Sequence, residues 1–162
     1  MNGATRNEGL ECLRNPGRIT GSISHSHRLA ISAVAPADRW RSIGIDLEHL
    51  ASPDAQAALR ATVVNASGLA LLKTLHDAGD LALDALLTLV FSAKESLFKA
   101  SFAAVGRYFD FSAAQVTGVD VAAGYLQLRL CESPCPSLPA GHLCPVGFAW
   151  VDPQTVVTYR VW

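Results

Sequence analysis

Apolar and polar positions alternate from Ile19 onward. Ile19, Gly21, Ile23 and His25 interleave with Thr20, Ser22, Ser24 and Ser26, and Leu29, Ile31 and Ala33 resume the alternation. The pattern predicts a β-hairpin turning near His27-Arg28, after an irregular lead-in over residues 1–18 with a turn at Asn15-Pro16-Gly17. Pro36 to Trp40 reads as a loop. From Ser42 to Glu48 the alternation returns, with Ile43, Ile45 and Leu47 on one face and Gly44, Asp46 and Glu48 on the other. That is the signature of a half-buried strand with a polar edge. Pro53 opens a helical stretch with Asp54 in its first turn, interrupted near Asn65 to Gly68 and resuming to His76. Leu81 to Leu89 predicts another helical segment after the Gly79-Asp80 break. Phe91 to Tyr108 gives the clearest helical period, with Phe91, Phe98, Phe102 and Val105 facing the core and Gly106 near the end. Two further hairpins are predicted. Val116–Asp120 pairs with Tyr125–Leu130 across Ala122-Ala123-Gly124, and Val146–Val151 pairs with Val156–Val161 across Asp152-Pro153. The Pro-rich segment between them, Cys131 to Cys144, reads as an irregular connection. Strands, then helices, then strands predict an α+β fold with mostly antiparallel sheet, compatible with two loosely joined lobes.

The chain of 162 residues is half apolar and 17% charged, which suits one compact domain or two small lobes and excludes a disordered chain. Its 13 Lys+Arg against 14 Asp+Glu, a net charge of −1, exclude a generally basic nucleic-acid binder. The longest apolar run, Leu81 to Phe91, is interrupted by Asp84 and Thr88, so no membrane span is expected. The polar start, without an apolar leader, predicts a cytoplasmic location. The cysteines are Cys12, Cys131, Cys135 and Cys144, expected as thiols in a reducing compartment. Cys131, Cys135, His142 and Cys144 lack the close pairs of a zinc ribbon, and Pro134, Pro136 and Pro139 interrupt them.

Three clusters can carry chemistry. Asp46 and Glu48 leave the same face of a strand, with Cα atoms ~6–7 Å apart. Two carboxylates so placed either face water or share a hard cation such as Mg²⁺. The second cluster runs from Phe91 to Ala100. There Ser92 and Glu95 have the spacing of a helix-start capping box, and Glu95 and Lys99 that of an i,i+4 ion pair. Two of the chain's three lysines, Lys94 and Lys99, flank Glu95. A carboxylate for a cation beside an ammonium for a phosphate is the combination that phosphoryl chemistry uses. The third cluster is Ser24-His25-Ser26-His27, either a phosphate- or metal-binding strand edge or a Ser-rich surface hairpin. No P-loop, dinucleotide fingerprint, nucleophile elbow or HExxH is present.

Taken in order, Gly21-Ser22-Ile23-Ser24-His25-Ser26, Gly44-Ile45-Asp46-Leu47-Glu48 and Phe91-Ser92-Ala93-Lys94-Glu95-Ser96-Leu97-Phe98-Lys99-Ala100 resemble the motifs of the 4′-phosphopantetheinyl transferase superfamily. The upstream Ser-His motif makes the chain most similar to the two-lobed, Sfp-type branch and its enterobactin synthetase component D group. The resemblance implies a pseudo-twofold pair of lobes, each an antiparallel sheet with helices. Residues 1–50 would form a remnant of the first lobe and 51–162 the second. The first lobe is expected to be incomplete, because two-lobed members carry a longer segment before the Ser-His motif and a Trp-Pro where Asn15-Pro16 stands. It further implies Mg²⁺-dependent transfer of the phosphopantetheine arm of coenzyme A to a serine of an apo acyl or peptidyl carrier protein, releasing adenosine 3′,5′-bisphosphate. In that scheme Asp46, Glu48 and Glu95 hold the metal. Glu95 is the candidate base, and Lys99 sits on the pyrophosphate. Ser24 and His25 contact coenzyme A phosphates, and the helix start beside Ser92 adds positive charge. Asp46, expected at a polar face, would be replaceable without loss of fold. The short first lobe also admits a non-catalytic remnant that binds coenzyme A or a carrier protein, and an exposed sheet edge prone to self-association.

Overall fold

The computed structural model describes residues 19–162. The lead-in and its expected turn lie outside the described residues, as does Cys12. Seven strands and three helices follow in order. They are β1 (Ile19–Ser26), β2 (Leu29–Pro36), β3 (Ile43–His49), α1 (Pro53–Thr62), α2 (Ala66–Asp77), α3 (Leu83–Val105), β4 (Ala114–Asp120), β5 (Tyr125–Leu130), β6 (Leu143–Asp152) and β7 (Thr155–Val161). The expected α+β class and the three hairpins are present.

β1 and β2 form a two-stranded sheet, and the other strands form an antiparallel sheet in the order β3-β7-β6-β5-β4. A boundary at residue 50 therefore falls after β3 in the chain, yet β3 belongs to the larger sheet. Its partner is β7, with Asp46 opposite Thr158 and Glu48 opposite Val156. α3 packs across one face of this sheet. Leu126, Leu128, Leu130, Val146, Phe148 and Val156 from the strands meet Leu86, Leu89, Val90, Ala93 and Leu97 from the helix in one core.

α3 departs from expectation. Leu81–Leu89 and Phe91–Tyr108 are not two helical segments. They form one continuous 23-residue helix. No Gly or Pro separates them, and the backbone hydrogen-bond ladder gains a bond for every residue by running on. Ser92 is consequently a mid-helix residue and caps nothing. The helix begins after Ala82, with Asp84 in its first turn, and ends at Gly106, whose φ of 72° is the left-handed conformation of a helix stop. α1 and α2 break where expected. Ser52 caps α1 through Ala55 N, and Asn65 caps α2 through Gly68 N.

β1 meets β3 in an unusual way. The hydroxyls of Ser22, Ser24 and Ser26 accept hydrogen bonds from the backbone N–H groups of Ile45, Leu47 and His49 at 3.1, 3.2 and 3.3 Å. The constant offset of 23 residues means that the two strands run side by side in the same direction. Serine oxygens replace the carbonyls that a neighbouring strand would supply, and so cover the edge that β7 leaves free. On the other side, Gly44 lies under α3. A Cβ there would collide with the backbone oxygen of Ser96. The glycine lets the helix settle on β3 and sets the distance between Asp46 and the helix side chains.

Candidate active site

β3 and α3 bring the carboxylate and lysine clusters together. Asp46 projects toward α3 and is 4% exposed. Its Oδ1 accepts from Lys99 Nζ at 2.8 Å and from Ser24 Oγ at 2.9 Å, and its Oδ2 accepts from Ser92 Oγ at 2.8 Å. Thr158 Oγ1 lies 3.0 Å from Ser92 Oγ. Ser96 continues the chain, 2.6 Å from Thr158 Oγ1. A cluster of hydroxyls from α3 and β7 thus stands beside one carboxylate oxygen.

This arrangement corrects three expectations and shows what surrounds Ser24. Asp46 is not at a solvated polar face, because α3 covers the even-numbered side of β3. Its removal would strand a buried ammonium and two hydroxyls. Lys99 does not pair with Glu95 along the helix; its salt bridge is to Asp46. It also donates to Ile45 O at 3.1 Å and Ser24 Oγ at 3.2 Å, which uses all three of its protons. Ser92 neither caps a helix nor stands beside a helix N-terminus, so no helix-end charge acts there. Ser24 is buried, and its hydroxyl is filled by Asp46, Lys99 and Leu47 N. In this arrangement it positions Asp46.

Glu48 and Glu95 are the opposite case. Both are half-buried, and neither takes a hydrogen bond or salt bridge from the described residues. Burial pushes the Glu48 carboxyl up to about 8 from 4.5, the charges of Asp46 and Glu95 push the same way, and Lys99 opposes them. Glu95 is raised as well, first by burial and then by Asp46. Three carboxyl groups stand near one lysine, and Asp46 takes its salt bridge. Two of the three carboxyl groups, Glu48 and Glu95, have no hydrogen-bond or salt-bridge partner among the described residues, and Asp46 Oδ2 keeps a lone pair. Among the described residues no group of three His, Cys, Asp or Glu side chains is placed so that it could hold a metal ion by itself, so any cation here would need further ligands from solvent or substrate.

His25 is exposed at the end of β1. It lines an open cleft of about 540 Å³ together with Glu48, His27, His49, Thr88 and Phe91. The cleft puts His25 and Ser26 of the Ser-His motif and the Glu48 carboxyl on one surface. The sequence reading missed His49, Thr158 and the role of Ser92. The period-two serines of β1 were visible, but what they bind is set by β3, which is distant in the chain.

Lys94 lies on another side of α3. It is 2% exposed, and its Nζ donates to Val63 O and Phe111 O, both at 2.6 Å. It ties the end of α1 and the turn after α3 to the helix. Burial lowers its ammonium to about 8. The cysteines diverge: Cys131 is exposed, Cys135 half-buried and Cys144 buried in the core, its thiol pushed up by burial.

An antiparallel sheet thus lies under a long helix, with two strand carboxyl groups on the side of a helix glutamate and lysine. The model of the 4′-phosphopantetheinyl transferase superfamily matches residues 42–142, more than half of the chain, and the chain belongs to that superfamily. The match includes Asp46, Glu48, Glu95 and Lys99 and begins downstream of Ser24 and His25. No curated protein matches the chain. Among the described residues no helix is long and apolar enough to cross a membrane.

Proposed function

We propose that this protein transfers the 4′-phosphopantetheine arm of coenzyme A to a serine hydroxyl of an apo acyl or peptidyl carrier protein, with Mg²⁺, and releases adenosine 3′,5′-bisphosphate. One observation carries the reading. Among the described residues Glu48 and Glu95 have no hydrogen-bond or salt-bridge partner, burial raises both carboxyls, and Glu48 lines a cleft next to an Asp46 that is held by Lys99, Ser24 and Ser92. Groups that a fold leaves unpaired at the cost of desolvation are groups kept for a ligand.

Glu48, Glu95 and the remaining lone pair of Asp46 would hold Mg²⁺. When bound, the ion supplies positive charge against the pyrophosphate of coenzyme A. Glu95 takes the proton of the carrier serine as its oxygen bonds to the phosphorus of the pantetheine phosphate. The bond from that phosphorus to the bridging oxygen breaks, and the nucleotide leaves with the electron pair. A carboxylate raised by burial is better matched to that proton than an exposed one. Lys99 acts from its place beside Asp46 as a fixed positive charge. It needs to release only its longest bond, to Ser24, to reach a phosphate oxygen. His25, exposed on the same cleft, contacts coenzyme A.

Within the superfamily we place the chain in the two-lobed, Sfp-type branch, near the enterobactin synthetase component D group. The support is the Ser-His motif on β1, joined to β3 by the serine bridge. The β1–β2 hairpin is then the first-lobe element, and the sheet from β3 to β7 with α1 to α3 is the second lobe. β2, with Leu29 and Val34 exposed, is the edge through which a second copy would associate.

Intact-mass spectrometry of an apo carrier protein incubated with this chain, coenzyme A and Mg²⁺ tests the proposal. A phosphopantetheine adduct that EDTA abolishes is expected. A folded sample that gives no adduct across acyl, peptidyl and siderophore-type carriers would sink it.

A further inference from the structure

His27 is strained, and no hydrogen bond within the described residues accounts for it. It has φ 51°, the only positive value outside glycine among the described residues. It opens the two-residue turn between β1 and β2, where glycine or asparagine is the less costly choice. What the histidine adds is its ring. The imidazole stands edge-on to that of His49, with centroids 4.6 Å apart and planes at 75°. His49 is itself fixed. Its Nδ1 lies 3.2 Å from Thr155 Oγ1, and its backbone N–H is held by Ser26 Oγ at 3.3 Å. The pair walls the cleft that Glu48 and His25 also line. No hydrogen bond from the described residues reaches the ring nitrogens of His25 or His27, and a neutral imidazole carries one N–H donor in either tautomer.

Resting on the coenzyme A reading above, we propose that His27 is a second phosphate-binding residue, held over the cleft by a strained turn and by His49, which acts as its positioning residue. Backbone strain is retained where a side chain must be aimed, and this turn aims a donor at the place where an anionic co-substrate would lie against the carboxylate site.

His27→Gly separates aim from fold, because glycine relieves the turn and removes only the ring. Calorimetric titration with coenzyme A and thermal melts are run on the wild type, H27G and H27N. H27G is expected to melt no lower than the wild type while its Kd weakens about tenfold, the scale of one hydrogen bond to a charged group. H27N, which tolerates the turn and offers an amide N–H, is expected to recover part of the loss. Phosphorus NMR of bound coenzyme A should show a resonance displaced in the wild type and not in H27G. H27G binding as tightly as the wild type overturns the proposal. So does an affinity loss that tracks a lower melting temperature and that H27N leaves unrepaired. A wild-type protein that binds no coenzyme A sinks the transferase reading itself, and this inference with it.

Discussion

Lys94 and Glu95 are neighbours in α3 and are treated in opposite ways. On one side of the helix, Lys94 is almost wholly buried and carries two short bonds to carbonyls of other segments. On the other, Glu95 and Glu48 are half-buried and take nothing from the described residues. Both sides incur desolvation. Only the Lys94 side recovers it inside the protein. A buried charge with protein partners holds structure together, and one without them awaits something from outside. Asp46 stands between the two cases, lying among the carboxylates but held as firmly as Lys94.

The largest effect should come from Asp46. Asp46→Ala strands the Lys99 ammonium and is expected to cost about 3–5 kcal/mol in urea unfolding, as well as abolishing transfer. A variant as stable as the wild type would place Asp46 with the unpartnered groups and break the distinction. Glu95→Gln is expected to lower kcat for transfer by about 10²–10⁴ while leaving the melting temperature unchanged or higher, because no internal bond is lost. A folding defect in that variant would show a partner that the geometry does not. Lys94→Met should do the reverse. It leaves two carbonyls without their donor, costs about 1–3 kcal/mol, and leaves the rate per folded molecule unchanged.

Glu48 gives the smallest and most diagnostic change. Its carboxyl is raised from 4.5 to about 8. The unfolded chain releases this proton above about pH 4.5, whereas the folded chain keeps it until about pH 8. Folding therefore binds a proton, so stability falls as pH rises across that window. Glu48→Gln should flatten the decline and raise stability at pH 8 by about 1–2 kcal/mol, a range discounted for the partial exposure of the group. Added Mg²⁺ should raise the wild-type melting temperature at pH 8 more than that of Glu48→Gln. Equal responses would remove Glu48 from the cation site.

Much of this site was legible along the chain. Asp46 and Glu48 share a face because a strand repeats every two residues, and Glu95 and Lys99 are one turn apart because a helix repeats every 3.6. The turn at His27-Arg28, the break at Asn65–Gly68 and the stop at Gly106 follow from local backbone preferences. The local readings failed where two local solutions competed. Ser92 and Glu95 satisfy the spacing of a capping box, and only the continuing hydrogen-bond ladder and the Asp46 carboxylate explain why Ser92 does not cap. The Glu95–Lys99 pair likewise yields to Asp46. A buried carboxylate on the facing strand lies in a lower dielectric than a half-exposed neighbour along the helix and attracts the ammonium more strongly.

The sequence by itself determined the element order, the faces on which the chemical groups lie and the superfamily motifs, because each depends on residues within a few turns of one another. Tertiary structure decided which charges are satisfied. Gly44 allows α3 to rest on β3, and that contact gives Asp46 to Lys99, Ser24 and Ser92 while leaving Glu48 and Glu95 without partners among the described residues. Partnership between charges depends on distance and desolvation across segments up to 75 residues apart, as for Lys99 and Ser24. No local period encodes it.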